Sequence, residues 1–442
     1  MRAISFFLLL VLFACAVNAQ WDDPDWPDDP DDDPDDDWPW RPSSTRRQPT
    51  PTRRPTSSRR PTPTRSTTPT RRPTSTITSR IPTPTSDPED PPEPTPTSVE
   101  TFANVTVYQP DDVSHHLTSP RTENLPNNTI LSVWNDLKQA NNTLQVYRST
   151  NNGFSWYAHG TAQSTVAGRK LLEPHLLFVE GSWSSETNVT LLAVNAVDAK
   201  STNIELYASW DQGVTWEFVH RIAEGGAVGA KAVGEPYMLF HDQRLTVYYS
   251  DGRDSQHAGK VSQQSAADMW DTWGTAIDVV ASIAPTDQAS TANAAKLPNK
   301  QYIIAFEASQ TGNSSNIAGP VQYKIAASPE NAGTELPLDV ATASGLKPQG
   351  APFVTWSSIG GVNGTIILSD SSSNSLFINQ ALGKGLWKVI STVAGRAYGR
   401  EVRTVPDDKR ALRITGGSEG KGRSSDVLVT IVDFEKALAA AA

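Results

Sequence analysis

The chain has 442 residues, a formal charge of −10 and one cysteine, Cys15. The acidic balance leaves no electrostatic footprint for nucleic acid, and one cysteine excludes an internal disulfide. Past the N-terminus, no apolar run is long enough for a membrane span.

Residues 1–19 read as a signal peptide: Arg2, an apolar run from Phe6 to Val17, and small residues ending at Ala19. A secreted, extracellular protein is expected. Asn-X-Ser/Thr sequons at Asn104, Asn127, Asn141, Asn188, Asn313 and Asn363 fit an exported glycoprotein. Residues 20–99 are rich first in Asp, Pro and Trp, then in Arg, Pro, Thr and Ser. Such a stretch buries too little apolar surface to offset the entropy of ordering it. A disordered, O-glycosylated stalk is therefore expected.

From Ala103 the texture changes to short apolar runs between Gly, Asn, Asp and Ser turns. Ile130–Trp134, Leu144–Arg148, Leu191–Val194, Ile204–Ser209, Leu245–Ser250, Tyr302–Phe306, Thr365–Leu368 and Val427–Val432 read as strands, rich in Val, Ile, Thr and Tyr. The one helical candidate is Val432–Ala442. The division expected is a β domain over 100–436 and an Ala-rich tail over 437–442.

Repeats decide the architecture. "STNNGFSW" (149–156) and "SWDQGVTW" (209–216) share Ser-x-Asn/Asp-x-Gly-x-x-Trp, and "SAADMWDTW" (265–273) is a weaker copy. In such a turn Asn or Asp bonds nearby backbone, Gly takes the positive φ and Trp packs back. In another phase, "EPHLLF" (173–178) recurs as "EPYMLF" (235–240) and as "APFVTW" (351–356). "SPRTENLP" from Ser119 resembles "YGREVRTVP" from Tyr398 and aligns Arg121 with Arg400. A period of about 60 residues holding four short strands is a propeller blade. An all-β, six-bladed β-propeller follows, with Val105–Tyr108 completing the last blade.

The Ser-x-Asp-x-Gly-x-x-Trp turns resemble the Asp-boxes of sialidase-like propellers. "EPYMLF…RLTVYYSDGRDSQHAGK", "YIIAFEAS" (302–309) and "AYGREVR" (397–403) resemble glycoside hydrolase family 93, the exo-α-1,5-L-arabinanases. The resemblance covers roughly residues 103–434. It implies arabinobiose release from α-1,5-L-arabinan side chains of pectin, with retention, and a catalytic pair at Glu235 and Glu307. It also implies an active-site tyrosine at Tyr398.

Glycoside hydrolysis commonly needs two carboxyl groups flanking the anomeric carbon. Glu173, Glu235 and Glu307 are read as carboxylates at inner-strand ends, facing one channel mouth. The Ala351 copy keeps its turn without an acid, so the fold does not demand Glu at that position. Glu307 sits in an apolar run, where burial would raise its pKa and suit it to carry the proton. Which glutamate is nucleophile stays open. Glu173 is read as orienting substrate or bonding an arginine. Tyr249, Asp251 and Arg253 form a polar loop beside Glu235, suited to sugar hydroxyls. Arg121, Arg400 and Arg253 do not complete a sialidase-type arginine triad, which favours a neutral sugar. His115, His116 and Asp112 have no informative metal spacing, and neither metal nor cofactor is expected. The expected partner is the polysaccharide alone, bound by a monomer. The alternatives are a sialidase-type exo-glycosidase and a non-catalytic carbohydrate-binding propeller.

Overall fold

The computed structural model describes residues 101–441, apart from 113–114, 137, 139–141, 182–186, 269, 271–272, 283, 311–317 and 418–425. The leader, the stalk and the sequons at Asn141 and Asn313 lie outside those residues. Among the described residues the strands form six four-stranded antiparallel sheets. Blades one to five span 117–163, 170–225, 233–280, 287–339 and 353–391. Blade six takes three strands from 401–433 and its outermost strand, Phe102–Tyr108, from the other end of the described chain. That strand pairs with Val427–Asp433, Val105 opposite Val429, as the strand pattern predicts. The fold is the expected six-bladed β-propeller.

Every seam between blades has its own apolar cluster. Leu131 and Val146 of blade one meet Leu176 and Leu192 of blade two. Leu191 and Leu206 meet Met238 and Val247; Tyr248 meets Tyr302 and Ile304. Ile303 and Tyr323 meet Ile366 and Trp387, and Ile367 and Ile378 meet Leu412. Val107 and Val429 of blade six meet Leu117 and Trp134 of blade one, which closes the ring. The middle strands are thus buried on both faces, and they read as short continuous apolar runs. A buried ion network reinforces the closing seam. Arg403 bonds Glu401 and Glu123, each at 2.8 Å, and Glu401 accepts the Thr122 N–H at 2.8 Å. The helix Phe434–Ala440 is capped by Asp433 and buries Phe434 against the seam of blades five and six. It runs through the boundary expected at 436/437.

The repeated turns are built as their chemistry requires. Ser149 Oγ accepts the Gly153 N–H at 2.9 Å, and Asn151 Oδ1 accepts the Ser155 N–H at 3.0 Å. In the second copy Ser209 Oγ accepts from Gly213 at 2.7 Å and Asp211 from Thr215 at 2.9 Å. The weak copy at 265–273 includes residues outside those described. A further turn, missed in the sequence, follows the third strand of blade five. Asn379 Oδ1 accepts from Gly383 at 2.9 Å, standing in for the serine, while Ala381 replaces the Asp.

Gly213 carries φ +92°, and a Cβ there would meet Leu131 Cδ1 of blade one at 2.7 Å. Gly168 has φ +78° with nothing within 4 Å. Gly213→Ala is therefore expected to cost about 2–3 kcal/mol, from backbone strain plus overpacking. Gly168→Ala costs about 1 kcal/mol, from strain alone. Thermal unfolding of the two variants checks this; equal losses would show that Leu131 gives way freely.

Candidate active site

The site grows from one irregularity repeated around the ring. In the inner strands Leu117–Leu125, Lys170–Val179, Val233–His241 and Asp287–Lys296 the register slips between Thr118 and Arg121, Leu172 and His175, Gly234 and Tyr237, and Ser290 and Asn293. Within each slip one residue has a left-handed backbone: Ser119, Glu173, Glu235 and Thr291, with φ 47°, 52°, 54° and 51°. Gly350 and Gly399 hold the corresponding stretch before the inner strands of blades five and six, at φ 75° and 71°. A bulge of this kind bends the strand and re-aims a side chain. Here it re-aims four residues, and two of them are glutamates.

Glu235 is the best connected. Its Oε2 accepts the Ser250 hydroxyl at 2.6 Å and the Thr291 N–H at 3.1 Å, and its Oε1 accepts the Tyr398 hydroxyl at 3.2 Å. Its own N–H donates to Glu173 Oε2 at 2.7 Å, and that oxygen also accepts from Asn195 Nδ2 at 3.0 Å. Glu307 accepts the Gly319 and Ala351 N–H groups, one on each oxygen, at 2.7 and 2.8 Å. Expected at an inner-strand end, Glu307 instead lies on the second strand of blade four, Tyr302–Gln310, opposite Ser290. Asn135, Asn195 and Ser250 fill the same slot of blades one to three, opposite Thr118, Leu172 and Gly234. These three, together with Thr291, are the site residues that sequence reasoning missed. The signal was the second-strand series "WND", "VNA", "YSD", "FEA".

Glu307 is buried and Glu173 and Glu235 are half-buried, and loss of solvation is the largest influence on the charge of all three. Burial and then the Glu173 charge push the Glu235 carboxyl up to about 8, and Glu307 adds to this. Burial also raises Glu173 and Glu307; the two backbone N–H groups on Glu307 work against it. Burial, followed by the charges of Glu235, Glu307 and Glu173, holds the Tyr398 phenol well above its ordinary range. Burial thus raises both Glu235 and Glu307, and Glu235 carries in addition the like charge of Glu173.

Two residues beyond each bulge a second layer closes the channel. His175 and Tyr237 have ring centroids 4.3 Å apart, Tyr237 and Phe353 5.9 Å, and the Arg121 guanidinium lies 5.2 Å over Phe353. Arg121 also donates to the Gly399 and Pro120 carbonyls. A cavity of about 220 Å³ below this floor is lined by Tyr237, Lys296, Phe353, Trp356 and Arg403 and contains none of the glutamates.

Other residues fall elsewhere. Arg121 and Arg400 are not equivalent: Arg121 pairs with Val133 as Glu401 pairs with Thr415, so Arg400 matches Pro120. Arg400 is fully buried and donates to the Ser375 carbonyl between blades five and six. Arg253 donates to both Asp251, at 2.7 Å, and the Tyr249 hydroxyl, at 3.1 Å. Tyr249 belongs to the apolar seam of blades two and three. His115 bonds Asp136 at 2.9 Å, and no metal-binding group of His, Cys, Asp and Glu occurs among the described residues.

Neither a scan against protein families nor a search of curated proteins gives a match. Solved structures do. The α-L-arabinanase of Penicillium chrysogenum, complexed with arabinobiose, is 31% identical with a TM-score of 0.72, over 76% of this chain and 99% of that one. A family 93 α-L-arabinofuranosidase of Fusarium graminearum, also with arabinobiose, is 27% identical at TM-score 0.71 over the same shares. A Hadza microbial sialidase, 10% identical at TM-score 0.51, shares the fold alone. With this identity over nearly the whole of the Penicillium enzyme, the chain belongs to glycoside hydrolase family 93 and is a glycoside hydrolase on a six-bladed β-propeller.

Proposed function

We propose that the protein is an exported exo-α-1,5-L-arabinanase that releases arabinobiose from arabinan side chains of pectin with retention. The observation that carries this reading is the placement of Tyr398 and Glu307 around Glu235: the Tyr398 hydroxyl donates to Glu235 at 3.2 Å, and Glu307 lies opposite Ser290, beside the Thr291 whose N–H donates to Glu235. Arabinobiose in the two related structures supports the choice of sugar. The leader at 1–19, with exposed sequons at Asn127 and Asn188, supports export.

Glu235, holding its proton, is the general acid. Glu307, whose ionised form two backbone N–H groups favour, is the nucleophile. In the first step a Glu307 oxygen bonds the anomeric carbon, the glycosidic bond breaks, and the Glu235 proton passes to the leaving oxygen. In the second step Glu235 takes a proton from water, whose oxygen displaces Glu307 from the opposite face. Two displacements restore the original configuration. Tyr398 bonds Glu235 and keeps its carboxyl turned into the channel.

On debranched arabinan, Glu235→Gln and Glu307→Gln each lower kcat/KM by about 10³-fold, read as arabinobiose released. Wild-type turnover in either variant removes it from the pair. With an aryl arabinobioside and azide, Glu235→Ala yields the α-azide and Glu307→Ala the β-azide; the opposite products exchange the two roles. Glu235 works as an acid only while protonated, so kcat/KM falls as pH rises through about 8. Glu307 must be ionised, so the acid limb lies above the ordinary glutamate value of 4.5. A pH profile of kcat/KM checks both limbs.

A further inference from the structure

We propose that Glu173 is a positioning residue for this reaction: it pins the backbone of Glu235 and keeps a negative charge beside the Glu235 carboxyl. The inference rests on the reading of Glu235 as the acid. The geometry is direct, because Glu173 Oε2 accepts the Glu235 N–H at 2.7 Å and is itself held by Asn195 at 3.0 Å.

The architecture does not require a charge at Glu173. At other seams the same N–H of the bulge is accepted by a neutral group. Asn135 Oδ1 accepts from Glu173, and Ser371 Oγ accepts from Gly399 at 3.2 Å. Ser119 and Thr291 take the same left-handed backbone without an acid. A glutamine at 173 would satisfy the seam equally well. What the carboxylate adds is its charge, and a like charge nearby favours the protonated form of its neighbour.

The groups facing Glu235 are few. Blade two contributes Glu173, and its own sheet contributes Ser250. Blade four contributes Glu307 and the Thr291 N–H, and Tyr398 precedes blade six. Arg121 of blade one is a cation within reach of its field. Of the charged neighbours, Glu173 acts first to favour the protonated Glu235, while burial raises both carboxyls.

The test compares Glu173→Gln and Glu173→Asp with wild type across pH on debranched arabinan. Glu173→Gln, isosteric but neutral, moves the alkaline limb of kcat/KM down by about one pH unit or more. It retains most of its turnover on the acid side. Glu173→Asp, shorter but charged, keeps the limb near the wild-type position even as kcat falls. A Glu173→Gln enzyme with an unmoved limb and activity lost at every pH overturns the proposal. So does a Glu173→Asp limb displaced toward acid, a readout that stands even where the glutamine variant does not fold. Glu235→Gln separates the two readings. If it turns over like wild type, the acid assignment fails and the role of Glu173 goes with it. If it is inactive while the Glu173→Gln limb stays put, the role of Glu173 alone fails.

Discussion

One unpaired backbone N–H per blade organises this protein. A bulge takes an inner-strand amide out of its own ladder, and a buried amide must find an acceptor. The acceptor comes each time from the preceding blade. Asn135 serves Glu173, Glu173 serves Glu235, Glu235 serves Thr291, and Glu307 serves Ala351. Ser371 serves Gly399, and the Tyr398 carbonyl accepts from Ser119 at 2.7 Å, which completes the circle. The bulge that aims a side chain at the channel therefore also creates the demand that links one blade to the next. At three consecutive seams that demand is met by a carboxylate. The candidate catalytic groups fasten the ring as well as line the site, so a substitution there has to be judged on both counts.

The same arrangement sets stability against chemistry. Three carboxyl groups share a poorly solvated site, and among the described residues none of them forms an ion pair. A carboxyl raised in the folded state binds its proton more tightly than in the unfolded chain. Its contribution to stability is thus complete at low pH and is lost as pH rises toward the folded value. For Glu235 that window runs from the ordinary 4.5 up to about 8. The six seam clusters, and the ion network of Arg403, Glu401 and Glu123, offset this destabilisation away from the site.

Much of this was legible in the chain. Seams buried on both faces leave short apolar runs, and every run chosen as a strand lies within one. Glu235 stood out because its repeat includes an acid-free copy at Ala351. The failures have physical causes. Tyr249 and Asp251 flank Ser250 on a strand, so when Ser250 faces Glu235 they point to the other face. Arg400 was aligned one residue out, because "SPR" and "YGR" both end in Arg, and only the strand register separates them. The slot of Glu307 holds Asn, Asn and Ser in its repeats, so no shared letter marks it. The turn at Asn379 keeps the serine-type bond to the glycine N–H through an amide oxygen, and has no Asp.

The strand borrowed from the start of the propeller has a consequence for synthesis. Val105 pairs with Val429, 324 residues later. At roughly 5–20 residues per second, a ribosome needs about 16 to 65 seconds to make that partner. Over that interval Phe102–Tyr108 is a strand without a sheet, while blades one to five can each pair within contiguous sequence as they emerge. The nascent chain thus grows as an open arc, and its first-made strand is the last to be placed.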